Sequence, residues 1–228
     1  DDIHAMANSG DKLLRLCVNP QSIIPTLKLA KLAHDLGVEV SLNVVRISSI
    51  SDAELSAIIR EIDVCKDYLD IIYFADSNGN LNPDKVEHII DVIKSETSLD
   101  IGFHAHDNMG LAMANSIRAV QCGARYIDAS LLGMGKGTGN LRLEQWVAFN
   151  NSESNSKYSL EMILKASSNL VDDPKYVVTE ISDYNVDMMC GLFNLPFTKR
   201  GQVINLLSGR KTESSSEGEK TWEAMEKA

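Results

Sequence analysis

The chain has 228 residues, a length that suits one sizeable domain or a domain with an appendage. Its 44% hydrophobic and 24% charged residues exclude a disordered composition, and a formal net charge of -10 disfavours nucleic acid and anionic membranes as partners. The four cysteines form no CxxC pair, and no apolar run approaches the roughly 18 residues of a membrane span. These features predict a soluble cytoplasmic protein.

Short apolar runs alternate with segments of helical period up to residue 150, which is typical of βα units around a parallel sheet. The predicted strands are Leu13–Val18, Val38–Arg46, Asp70–Ala75, Asp100–His104 and Tyr126–Leu131. The predicted helices after them are Ser22–Leu36, Ser51–Tyr68 with a capping box, Asn82–Lys94, Leu111–Gln121 and Leu143–Phe149. Later helices are predicted at Leu160–Leu170, Val186–Leu192 and Gln202–Leu207. We therefore predict barrel units over 1–150, a helical region over 151–210 and a polar tail over 211–228.

Five βα units leave two architectures open. A closed eight-stranded barrel typically takes about 250 residues, so a barrel would be incomplete here. An open doubly wound sheet is the alternative, although the GxGxxG fingerprint expected after its first strand is absent. The pattern alone does not separate the two.

Two histidines at the end of the fourth predicted strand carry the strongest chemical signal. His104 and His106 are two residues apart, so an extended strand points both side chains to one side. At the carboxyl end of a barrel strand that side is the active-site mouth, where two imidazoles can bind a divalent cation. The alternative is one buried, hydrogen-bonded histidine and one exposed histidine. Asp76 ends the preceding strand and is predicted at the same rim.

The segment 133–140 is a glycine-rich loop with four glycines in seven residues. Such a composition suits positive backbone angles and close approach to a ligand, and the alternative is a plain tight connection. Lys136 lies between the glycines rather than after them, so the loop is not a Walker motif and nucleotide binding is not expected.

Taken together, these motifs resemble the metallolyase family that includes the hydroxy-oxo-acid aldolases and 3-hydroxy-3-methylglutaryl-CoA lyase. The similarity runs from Tyr73 to Phe149 and is carried by residues 74–79 (FADSNG), 102–108 (GFHAHDN), 114–117 (ANSI), 128–135 (DASLLGMG) and 139–140 (GN). It is strongest to the 4-hydroxy-2-oxovalerate aldolase branch. Lys136 stands in the stretch where the CoA-thioester lyases carry a cysteine, which argues against that branch.

The resemblance implies an α/β TIM (β/α)8 barrel, with the strands seen here as the fourth to eighth, plus a small C-terminal helical region. It implies Mn²⁺ or Mg²⁺ bound by His104 and His106. Asn140 is a further candidate ligand, and its alternative role is to hold the shape of the loop. The family's first-strand Asp-Arg motif is not matched, so we expect the first three units to be absent and these residues alone to be neither stable nor active.

The remaining candidate residues complete this prediction. Asp76 and Tyr184 are predicted catalytic residues, although a surface or packing role explains Tyr184 better. Asn43, Arg46 and Ser48 are predicted to bind substrate at the end of the second strand, with a solvated rim as the alternative. The predicted reaction is aldol cleavage or formation of a 4-hydroxy-2-oxo acid through a pyruvate enolate. The alternatives are an acyl-CoA-dependent enzyme and a non-catalytic metal-binding barrel. The predicted partners are a small 2-oxo acid and either a second copy or an aldehyde dehydrogenase.

Overall fold

The computed structural model describes residues 2–10, 12–19, 22–153, 158–171 and 181–207. They form two compact units, and each unit draws on several stretches of the chain. The first contains the residues up to 77 together with 81–104 and 114–128, and the second contains 78–80, 105–113 and the residues after 128. The predicted polar tail over 211–228 lies outside the described residues.

Strands and helices alternate along the chain. The strands are β1 (Leu13–Val18), β2 (Glu39–Val44), β3 (Ile71–Asp76), β4 (Asp100–Ala105) and β5 (Tyr126–Asp128). The helices are α1 (Asp2–Ser9), α2 (Ile23–Asp35), α3 (Asp52–Asp63), α4 (Pro83–Glu96), α5 (Ala112–Gln121), α6 (Leu143–Glu153), α7 (Leu160–Val171), α8 (Ile181–Leu192) and α9 (Arg200–Leu207). Every predicted strand and helix therefore has a counterpart.

The five strands form one sheet in the order β1-β2-β3-β4-β5, in which β1 with β2, β2 with β3 and β4 with β5 pair in parallel. Each strand lies beside its neighbour in sequence. A doubly wound sheet instead reverses its strand order at a switch point, so the sequential order excludes that alternative and agrees with the (β/α) barrel. The described strands amount to five of the eight that a closed barrel contains.

The sheet of the first unit has one apolar and one polar face because successive side chains of a strand alternate. The apolar face carries the fully buried side chains Val40, Leu42, Val44, Ile72, Phe74 and Phe103. The rings of Phe74 and Phe103 stack with their centroids 4.7 Å apart. The opposite face carries Arg15, Ser41, Asn43, Tyr73, Gly102, His104 and Asp128. This polar face positions most of the candidate chemistry of the first unit.

The second unit has a small core of its own on α8 and α9. Val186, Cys190 and Val203 are buried, with Met189 and Leu195 packed against them. The carboxylate of Asp187 is almost completely buried in this unit and accepts a hydrogen bond of 2.8 Å from Nε of Arg200. The predicted C-terminal helices are thus present, and a buried ion pair joins two of them.

Several predicted boundaries were wrong: α6 ends at Glu153 rather than at Phe149, and α8 begins at Ile181 rather than at Val186. Two other errors have a clear physical cause. The helix predicted over Ser51–Tyr68 ends at Asp63, because its buried apolar stripe ends at Ile62 and a separate 3-10 turn follows. The fifth strand ends at Asp128 rather than at Leu131, because the amide of Ser130 bonds to Leu141 instead of continuing the ladder. Among the described residues, no helix has the length and apolar character needed to cross a membrane.

Candidate functional site

His104 ends the polar face of β4 and is held there by a carboxylate. Its Nδ1 lies 3.0 Å from Oδ2 of Asp128, the residue directly opposite it in the β4–β5 register. The same oxygen accepts a hydrogen bond from Nη1 of Arg15, and the two side chains form an ion pair. The three side chains retain between 23% and 31% of their exposure, so the cluster is partly shielded yet open to a ligand.

An aromatic ring supports this cluster from the side. The guanidinium of Arg15 lies 3.7 Å from the ring centroid of Tyr73, within the range of a cation–π contact. Gly102 is required beneath that ring, because a Cβ at this position would lie 2.5 Å from the Tyr73 ring atoms. The absence of a side chain at Gly102 is what lets Tyr73 lie flat against β4 and contact Arg15.

The surroundings of Asp128 and Tyr73 shift the pKa values of both side chains. Burial alone would raise the pKa of Asp128, but the hydrogen bonds from His104 and Arg15 outweigh it and lower that pKa below its usual value. Burial raises the pKa of Tyr73 to about 12, and the nearby Asp128 carboxylate adds to the shift. Asp128 is therefore an anion and Tyr73 a neutral phenol at neutral pH.

His106 and Asn140 come together in the second unit. The two residues form an isolated antiparallel bridge, and the amide of Leu141 donates to the carbonyl of Ala105 over 3.1 Å. The Asn140 side chain lies against Gly135, where a Cβ would approach it to 2.7 Å, and its Nδ2 donates to the Met134 carbonyl over 2.9 Å. Its Oδ1 is buried and accepts no hydrogen bond from any described residue.

The glycine loop of this unit is closed on itself. The Asn140 amide donates to the Gly133 carbonyl over 2.8 Å, and a Cβ on Gly139 would lie 2.0 Å from that same oxygen. Gly139 has a φ of +98°, a left-handed value that favours glycine. The left-handed backbone of Gly139 and its close approach to the Gly133 carbonyl account for a glycine in this loop without a bound anion. The closed loop also holds the backbone of Asn140 in place.

A buried carboxylate ties the same loop to a helix of its unit. Glu144 on α6 accepts hydrogen bonds from the Leu132 amide, over 2.8 Å, and from the Ser167 hydroxyl on α7. Leu132 itself has a φ of +57°, rare for a residue with a side chain. Glu144 therefore stabilises a backbone conformation that Leu132 would not readily adopt alone.

The other predicted residues have diverse surroundings. Asp76 is completely buried, and its Oδ2 accepts the Leu81 amide over 3.0 Å, so it organises the chain that follows β3. Asn43 lies on the polar face in register with Tyr73, and its buried Oδ1 has no hydrogen-bond donor among the described residues. These two roles stay predictions, with Asn43 better placed for a ligand than Asp76.

Arg46 and Ser48 follow β2 in the first unit. Arg46 is exposed and has a φ of +57°, and its amide donates to the Ser77 hydroxyl over 2.9 Å. Ser48 is half-buried within a 3-10 turn. Tyr184 lies in α8, but its side chain is outside what the structure describes. Its catalytic role stays a prediction.

Sequence reasoning missed Asp128, Arg15 and Tyr73 as site residues. Asp128 belongs to a motif that had been noticed, and counting by twos from His104 along the neighbouring strands would have placed all three on one face. The ion pair between Arg15 and Asp128, 113 residues apart, leaves no local signal.

The chemical groups of His104, His106 and Asn140 are types that bind divalent cations. Imidazole nitrogen and amide oxygen are both metal ligands, and the unsatisfied Oδ1 of Asn140 is the observation that favours such a role. Among the described residues, no three His, Cys, Asp or Glu side chains form a metal-binding group, so the candidate set rests on two histidines and an amide.

The five sequential parallel strands, alternating with helices, define the class of this protein as an α/β fold of the (β/α)-barrel type. The chain belongs to the HMGL-like family, whose model matches residues 17–171. A 4-hydroxy-2-oxovalerate aldolase of Carboxydothermus hydrogenoformans is 31% identical over 148 residues, covering 64% of this chain and 43% of that protein.

Two further relatives widen the comparison. An oxaloacetate decarboxylase of Mycobacterium tuberculosis is 30% identical over 145 residues, covering 61% of this chain and 42% of that protein. The crystal structure of the N-terminal domain of a candidate aldolase from Bacteroides vulgatus has a TM-score of 0.74 at 27% identity, covering 85% of this chain and 64% of that one. The match spans less than half the length of the two curated relatives.

Proposed function

We propose that the chain forms part of a divalent-metal-dependent carbon–carbon lyase that cleaves or forms a 4-hydroxy-2-oxo acid through a pyruvate enolate. The observation that carries this proposal is His104 at the carboxyl end of β4, with its Nδ1 held by Asp128. Metal-binding histidines commonly donate their second ring N–H to a carboxylate in this way. The similarity to 4-hydroxy-2-oxovalerate aldolases supports the same chemistry.

His104, His106 and the Oδ1 of Asn140 would hold Mn²⁺ or Mg²⁺, with further ligands from groups outside this set. When bound, such a cation supplies Lewis-acid stabilisation of the negative charge that develops on the 2-oxo group. The backbone bridge between His106 and Asn140 and the tight packing of the Asn140 side chain against Gly135 support this assignment. Preorganised donors avoid reorganisation during the reaction.

The polar face of the first unit would bind the organic substrate. Asn43 presents a buried amide oxygen that needs a donor, which a substrate hydroxyl can supply. Arg46 presents an exposed guanidinium in a strained backbone conformation, suited to a carboxylate. Ser48 lies two residues further on and would assist the same group.

Oxaloacetate decarboxylation is a second candidate, favoured by the relative from Mycobacterium tuberculosis. Aldol cleavage breaks the C3–C4 bond of a 4-hydroxy-2-oxo acid and releases an aldehyde. Decarboxylation breaks the C3–C4 bond of oxaloacetate and releases CO₂. In both reactions the electron pair of that bond stays on C3 and produces the same pyruvate enolate, so one site can serve either reaction.

The experiment is Mn²⁺-dependent exchange of the pyruvate methyl protons with deuterium, followed by ¹H NMR on the native protein. We expect exchange in the wild type and loss in His104→Ala and His106→Ala. His88→Ala is the matched control, because His88 is an exposed histidine that pairs with Asp52 away from this cluster. Exchange that persists without metal, or that survives in both His104→Ala and His106→Ala, would refute the proposal.

A product assay then separates the two candidates. The protein is incubated in turn with 4-hydroxy-2-oxopentanoate and with oxaloacetate, and the rates of aldehyde and CO₂ release above the metal-only background are compared. Faster aldehyde release supports the aldolase, and faster CO₂ release supports the decarboxylase. Bound metal with neither product would favour a non-catalytic barrel.

A further inference from the structure

The hydrogen bond from His104 selects which of its ring nitrogens can bind a cation. A carboxylate only accepts hydrogen bonds, so Nδ1 must carry the proton where it meets Oδ2 of Asp128 at 3.0 Å. In the neutral ring the lone pair then lies on Nε2. The contact therefore fixes both the tautomer and the rotation of the ring.

Asp128 is itself held by other neighbours on the same face of the sheet. Arg15 bonds to the same oxygen and lies over the Tyr73 ring. The Tyr73 ring in turn lies against the bare backbone of Gly102. Each of these contacts limits the movement of the next side chain. Gly102 makes room for the Tyr73 ring, the ring supports Arg15, and Arg15 holds Asp128.

We propose that Asp128 is a positioning residue that presents Nε2 of His104 to the divalent cation, and that Arg15 stacked on Tyr73 holds Asp128 for this task. The statement about the cation rests on the proposed function, whereas the statement about the tautomer does not. Residues that orient a metal ligand typically change metal affinity by about 10- to 100-fold when they are removed.

The first test reads the tautomer directly in the wild-type native protein without added metal. Two-bond ¹H–¹⁵N correlation spectra on ¹⁵N-labelled protein, assigned through His104→Gln, distinguish a proton on Nδ1 from a proton on Nε2. We expect the Nδ1–H tautomer for His104. A dominant Nε2–H tautomer would overturn the proposal whatever the behaviour of any variant.

The second test compares Mn²⁺ affinity by titration calorimetry and by the EPR signal of free Mn²⁺. Asp128→Asn keeps the shape of the side chain and removes its charge. Asp100→Asn is the matched control, because Asp100 on β4 has the same charge, is partly exposed and pairs with Arg125 over 2.9 Å. We expect Asp128→Asn to weaken Mn²⁺ binding about 10- to 100-fold and Asp100→Asn to leave it within about twofold.

The outcomes separate this inference from the proposed function. Wild-type binding that Asp128→Asn and Asp100→Asn change equally would overturn the positioning role and leave the metal site standing. A wild type that binds no Mn²⁺ would overturn the proposed function, while the tautomer measurement still decides the role of Asp128 toward His104. If Asp128→Asn does not fold, Arg15→Met takes its place, with a smaller loss of Mn²⁺ affinity expected and an unchanged affinity counting against the proposal.

Discussion

Replacing Gly102 by alanine tests the packing that underlies the candidate site. The added Cβ would lie 2.5 Å from the Tyr73 ring, far inside van der Waals contact, so the ring or the strand must shift. Overpacking of this kind costs about 1–3 kcal/mol. Alanine recovers about 0.5–1 kcal/mol of backbone entropy relative to glycine. The difference leaves a net loss of up to about 2.5 kcal/mol in the free energy of unfolding, and at the middle of both ranges the clash outweighs the entropy.

Urea denaturation followed by far-UV circular dichroism measures this loss, and a double-mutant cycle identifies its cause. In a Tyr73→Ala background the ring is gone, so Gly102→Ala should become neutral or stabilising. Gly201→Ala is the control, since nothing lies within 4 Å of a Cβ there and its φ is not left-handed. If the cost of Gly102→Ala were the same with and without the ring, the steric explanation would be wrong.

The remaining predictions concern two buried carboxylates of the second unit, Glu144 and Asp187. Glu144→Ala should cost about 1–3 kcal/mol in the free energy of unfolding, because the Leu132 amide and the Ser167 hydroxyl lose their acceptor. Burial would raise the pKa of Glu144, but these hydrogen bonds outweigh it and lower that pKa, so its contribution is present above the unfolded pKa of about 4.3 and is lost as pH falls through the folded value. A Glu144→Gln variant should therefore lose stability less steeply than the wild type below pH 5 in urea titrations, and parallel curves would contradict this. Arg200→Met should cost about 3–5 kcal/mol by leaving the buried Asp187 carboxylate uncompensated, and Asp187→Asn in the same background should recover part of it; additive losses would refute the coupling.

The elements of the fold were predictable because their signals are local. Ser51 and Glu54 form the predicted capping box, with Glu54 bonding back to the Ser51 amide at 3.0 Å, and Pro83 occupies the first turn of α4. The strand β1 was predicted to the residue. The errors fell where tertiary contacts decide the boundary, as at Ser130, whose amide bonds to Leu141 across the glycine loop. The sequential order of the strands in the sheet also required the structure, since the sequence was consistent with two parallel architectures.

The candidate site was predictable only in part, for a similar reason. The HxH spacing and the glycine loop are each local in sequence, so His104, His106 and Asn140 could be chosen from the sequence alone. Arg15 gave no such signal, because a single arginine in an otherwise apolar strand is most simply interpreted as a solvent-exposed residue until its partner is known. The burial of Asp76 against the Leu81 amide was equally hidden, since a carboxylate at a strand end suggests either a ligand or a turn.

The energetics of the Arg15–Asp128 pair bear on why it lies beside His104. Both side chains are partly shielded from water, and the attraction between such charges often does no more than offset the cost of desolvating them, so the pair is weak evidence for stability. Apolar residues of similar size would fill the face of the sheet at least as well. The pair can also orient the ring of His104, because the same oxygen, Oδ2 of Asp128, contacts both Arg15 and Nδ1 of His104. Orientation of His104 therefore explains the presence of Arg15 and Asp128 on this face better than packing does.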